Sequence, residues 1–83
     1  QEDFMRRMQS LSTEILATLQ GIFEAGIGEI SFLYFLERRR DLRWVEVFII
    51  LLFLYMRNLI DLEPRESEGE GITDIVIRPA REE

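Results

Sequence analysis

Val47–Met56 is an unbroken run of ten apolar residues, bracketed by Glu46 and Arg57. As a helix it would reach only ~15 Å, about half the hydrocarbon core of a bilayer. A transmembrane reading therefore fails on length, and a very apolar helix inside a protein assembly is the better account. The run sets a packing problem, because a helix apolar on every side is normally covered on every side. Eighty-three residues make one domain with a small core, and so short a chain has few elements with which to cover anything. A hydrophobic fraction of 47% still supports a packed core rather than disorder.

The flanking residues place this run within a series of elements. Phe4, Met8, Leu11, Ile15, Leu19 and Ile22 recur on one helical face. Glu2 and Asp3 suit a helix N-terminus and Gly26 suits the position just past its end, which predicts a first helix over roughly 2–24. After a turn at 26–28, Glu29, Ile30 and Ser31 read as a short extended piece, and Ser31 as the N-cap of a second helix, Phe32–Arg39. Arg38, Arg39 and Arg40 fall where cations suit the C-terminal dipole. Asp41 then reads as the N-cap of a third helix, Leu42–Asn58. Beyond it the period changes to two. Ile60–Glu63 alternates like a strand that Pro64 stops, 65–71 reads as a mobile acidic loop, and Ile72–Ile77 reads as a second strand ended by Pro79.

Helix, short strand, helix, turn, helix, strand, loop, strand is the order of a winged helix. The expected fold is α+β: a helix-turn-helix core of three helices packed on a small antiparallel sheet with a β-hairpin wing, residues 1–83 forming the single domain. On a wheel of 100° per residue, Trp44, Phe48, Leu51, Leu52, Tyr55 and Leu59 cluster as the core side of the third helix. Glu46, Ile50, Phe53 and Arg57, spaced i, i+4, i+7, i+11, form the opposite stripe. With only two other helices to cover it, that stripe is the candidate partner-binding site. The alternative is that a strand or the first helix covers it.

Composition removes most chemistry. The chain has no His, Cys or Lys, which excludes Ser–His triads, imidazole or thiolate metal sites, Schiff bases and a P-loop lysine. The carboxylates Glu66, Glu68 and Glu70 fall in a hydrated loop, whereas acid–base catalysis needs a rigid, desolvated setting. That loop also lacks the spacing of an EF-hand. No enzyme activity, cofactor or metal is expected. Ten Arg against sixteen acids give a net charge of −6, the wrong sign for tracking phosphates. Arg38, Arg39, Arg40 and Arg43 read as a solvated helix end pairing with Glu37, Asp41 or the acidic wing. A DNA-reading third helix needs polar or basic side chains toward base edges, and this one offers Glu46, Ile50 and Phe53. Direct, specific DNA binding is therefore not expected. Gln1–Phe4 is no signal peptide, so the expected location is cytoplasmic, with no membrane partner.

Phe48–Leu54, Ile60–Glu63 and Thr73–Ile77, with Glu29–Phe32 at the start of the second helix and Met5–Leu19 as an amphipathic first helix, resemble in register the C-terminal winged-helix domain of kleisins, in the segregation and condensation protein A branch of that family. The family carries Glu where this chain has Phe53, and Gln where it has Pro64. It also has an aromatic before the last strand that is missing here, and a wing unlike 67–71. The resemblance implies a non-catalytic subunit that docks on the ATPase head of a structural-maintenance-of-chromosomes (SMC) protein. That docking would close a ring that condenses and segregates chromosomes, with a ScpB-like subunit reached through the rest of the kleisin, at the nucleoid. A start at Gln1 without Met leads us to expect a C-terminal fragment of a kleisin. Two other readings stay open: a DNA-binding winged-helix regulator, and a homodimerising helical module whose third helix pairs with itself.

Overall fold

The computed structural model describes residues 2–81. In chain order its elements are α1 (Glu2–Glu24), β1 (Ile30–Ser31), α2 (Phe32–Arg38), α3 (Trp44–Met56), β2 (Ile60–Ser67) and β3 (Gly71–Pro79). The architecture is α+β, three helices with one antiparallel three-stranded sheet in the order β1-β3-β2.

α1 runs as its apolar period predicts, and it buries Leu11, Ile15 and Leu19. It stops at a two-bond C-terminal motif, with Gly26 N–H donating to Phe23 C=O and Ile27 N–H to Ile22 C=O. That geometry needs a left-handed residue, and Gly26 supplies it at φ 98°. α3 ends in the same way with Asn58 in the glycine's place. Asn58 sits at φ 60° and donates to Tyr55 C=O, while Leu59 N–H reaches Leu54 C=O.

Ser31 caps α2 as expected, accepting from Tyr34 N–H at 3.1 Å. A second cap arrives from β3. One Asp74 carboxylate oxygen accepts from Ser31 Oγ, and the other accepts from the Leu33 and Ile75 N–H groups. Partial burial works to raise the Asp74 pKa, but these three hydrogen bonds and the charge of Arg65 outweigh it, so the net shift is downward.

Helix and strand ends shift by one or two residues at several places, and three differences from the sequence reading have a clear physical cause. Asp41 does not cap α3. The Arg39 side chain takes Asp41 with two 3.0 Å hydrogen bonds and also pairs with Glu14 at 2.6 Å. α3 therefore begins only at Trp44, after an extended Arg43 that makes no side-chain cap. Pro64 does not stop β2, because β2 is an edge strand in which a missing N–H can face outward. Pairing continues through Pro64↔Ile75 to Ser67↔Gly71, with a bulge at Arg65/Glu66. The expected loop over 65–71 shrinks to a turn at 68–70, where Gly69 takes φ 81° and Glu70 N–H donates to Ser67 C=O.

The core forms where the helices meet the sheet. Leu11, Ile15 and Leu19 cluster with Phe32 and Phe35 of α2, Val47, Ile50, Leu51 and Leu54 of α3, and Ile60 and Ile77 of the sheet. No polar side chain is buried among the described residues.

Candidate interaction surface

α3 is apolar around its whole circumference, so its own sequence does not say which side faces inward. The packing of α1 and the sheet decides. The buried stripe is Val47, Ile50, Leu51 and Leu54, about 100° away from the expected core side, one residue step on the wheel. Trp44, Leu52, Tyr55 and Leu59, expected in the core, are exposed, Trp44 at 62%. Phe48 is half-buried, its ring tilted against Phe32 with centroids 6.1 Å apart.

The four candidate residues fall into different environments. Ile50 is only 2% exposed and belongs to the core, so its expected place on an outward stripe is corrected. Phe53 is 49% exposed. Arg57 is exposed, and its guanidinium stacks 5.4 Å from the Phe53 ring centroid. Glu46 points across to α1, where it accepts from Arg7 Nη2 at 3.0 Å. The alternative named for this stripe, cover by the first helix, is therefore realised in part.

The arrangement leaves an open groove of about 670 Å³ between α1 and α3. Ile50 lines it beside Ile49 and Phe53 of α3, Arg57 just past the end of α3, and Met5 and Met8 of α1. Arg57 is the one charged residue in its lining, and it reaches no carboxylate among the described residues. Beside the groove α3 exposes Val45, Ile49, Leu52 and Met56, spaced 4-3-4, the seam of a coiled-coil helix. The sequence reading missed Met5, Ile49 and Met56. One usable signal was that Met5 is apolar yet lies off the α1 stripe. A second groove of about 690 Å³, between the end of α1 and α2, is lined by Ile22, Ile27, Ile30 and Tyr34, and Arg38 lies 5.9 Å from the Tyr34 ring centroid.

Away from the groove, several charged residues are tied in ion pairs. Arg78 holds Glu29 and Glu63, Arg65 also reaches Glu29, and Arg81 holds Asp61. In the arginine run, Arg39 is bound to Asp41 and Glu14, whereas Arg40 and Arg43 reach no carboxylate among the described residues. Glu66, Glu68 and Glu70 are exposed on the β2–β3 hairpin. Among the described residues no helix is long and apolar enough to cross a membrane, and no cluster of His, Cys, Asp or Glu could hold a metal ion. Chemically, the surface offers apolar area and a cation, which suits binding. No protein-family model, curated protein or solved structure matches the chain.

Proposed function

We propose that this chain is a non-catalytic protein-docking module, a winged-helix domain of the kleisin kind that binds the ATPase head of an SMC complex in chromosome condensation and segregation. The element order and the β1-β3-β2 sheet with its acidic hairpin support the winged-helix reading. The observation that carries the docking reading is α3. At the position from which a DNA-reading winged helix presents polar side chains to the major groove, this chain exposes Trp44, Ile49, Leu52, Phe53, Tyr55 and Met56. So large an apolar surface on so small a domain marks a protein contact. The same reading places the protein at the nucleoid in the cytoplasm, with a ScpB-like subunit reached through other parts of a kleisin.

The test is capture of binding proteins from the source cells on the immobilised chain, with an α3 variant (Leu52→Asp with Phe53→Glu) as control. Enrichment of a large coiled-coil ATPase by the wild type, lost in the control, is the expected result. Equal recovery on both, or no such ATPase on either, overturns the proposal.

A further inference from the structure

From the α1–α3 groove we infer that this surface takes one amphipathic helix of a partner protein, apolar along its inner face and carrying a carboxylate against Arg57. This deepens the docking reading above and rests on it, though not on the partner's name. Two helices that contact each other and leave a trough between them offer a third helix the ridge-and-groove seat that helices favour. The α3 wall is Ile49 and Phe53, and the α1 wall is Met5 and Met8 followed by the polar Gln9, Ser12 and Thr13; the thioethers and the ring can close around an apolar ridge. Met5 is 61% exposed, so this wall lacks cover.

Charge selects the occupant. The chain has six more acids than arginines, yet no acid lines the groove, and its one charge, Arg57, stands on Phe53 with no carboxylate in reach among the described residues. Glu46, the nearest acid on α3, is already held by Arg7. A second copy of this chain would meet the groove with its own exposed α3 face, which carries another Arg57 and no unheld acid. Like charge there disfavours self-pairing. An acidic helix removes the mismatch.

The experiment uses the purified chain and two designed probes of about 20 residues, long enough to outspan α3 at 1.5 Å per residue. Both carry leucines at heptad spacing, one flanked by Glu and the other by Arg. Binding is titrated by fluorescence anisotropy, and the methionine methyl resonances report the site. Vesicles of phosphatidylglycerol and sedimentation of the chain alone complete the set. The acidic helix should bind roughly tenfold more tightly than the basic one, as expected for one well-placed charge pair, and shift the Met5 and Met8 methyls. Arg57→Glu, an exposed change, should reverse the preference, and Met5→Asp should abolish the methyl-reported binding. Equal affinity for both probes, an Arg57→Glu variant that behaves like wild type, stronger binding to vesicles, or self-association that shifts the same methyls would each overturn the inference. Failure here is separable from failure of the docking reading. An ATPase head that binds Arg57→Glu and Met5→Asp as it binds wild type sinks the groove and leaves the docking. A probe that binds with no ATPase captured does the reverse.

Discussion

Leu51 is 1% exposed and Leu52 is 38% exposed, though they are neighbours in one helix. Leu51→Ala opens a cavity between α1, α3 and the sheet and should cost ~2–5 kcal/mol, a large part of the stability of any small domain. Leu52→Ala removes surface and should stay within about 1 kcal/mol. Denaturant titrations of the two variants check this, and comparable losses would mean that α3 is turned differently. Phe53→Glu belongs with Leu52. It gives up the Arg57 stack, but a Glu four residues before Arg57 forms a favourable i, i+4 pair, so stability should change by less than about 1 kcal/mol. Partner affinity is a separate readout. If Phe53 anchors the contact, its loss should weaken binding by about 2 kcal/mol, roughly thirtyfold, in a titration with the captured partner.

At the scale of elements, the first turn of α2 depends on a strand far away in sequence. Ser31 accepts from the Tyr34 N–H and Asp74 from the Leu33 N–H, and Asp74 is held below its ordinary pKa by the balance described above. Because the folded pKa is the lower one, the carboxylate's contribution is complete above the unfolded value of about 4 and is lost as pH falls through the folded value. Asp74→Asn should therefore cost about 1 kcal/mol at neutral pH, the difference between a charged and a neutral acceptor, and its gap from wild type should narrow as pH falls below about 4. A gap that stays constant with pH would show that the charge is not what caps α2. Ser31 as cap was legible in the sequence, since its role needs only the three residues after it. Asp74 was not, because the second cap exists only after β3 pairs with β1. The same division explains the rest. α1 has a single apolar stripe, so its limits and its buried side could both be read. α3 is apolar at every turn, so its existence was plain and its orientation was not, and Ile50 was placed outward for that reason. Pro64 misled because whether a proline ends a strand depends on which strands flank it. Asp41 misled because Arg39 competes for its carboxylate. The element order was legible throughout; the groove needed α1 in place.

At the scale of the whole molecule, charge is distributed against nucleic acid. Arg7, Arg39, Arg65, Arg78 and Arg81 are each bound to a carboxylate. The arginines with no carboxylate in reach among the described residues are scattered. Arg6 lies on α1, Arg38 ends α2, Arg40 and Arg43 lie between α2 and α3, and Arg57 lies past the far end of α3. A duplex laid along α3 would meet Leu52, Phe53 and Met56 where base-reading side chains should stand. Its backbone would run toward a hairpin bearing Glu66, Glu68 and Glu70. Each phosphate neutralised by arginine releases a counterion and steepens the salt dependence of binding, so a chain with few aligned free arginines should show weak binding and a shallow slope. The expected outcome is no affinity for mixed duplex DNA tighter than the non-specific range of ~10⁻⁴–10⁻⁶ M near physiological salt, followed by anisotropy across a salt series. Submicromolar binding with a steep slope would show that these arginines act as one surface after all, and would put the DNA-binding regulator ahead of the docking module.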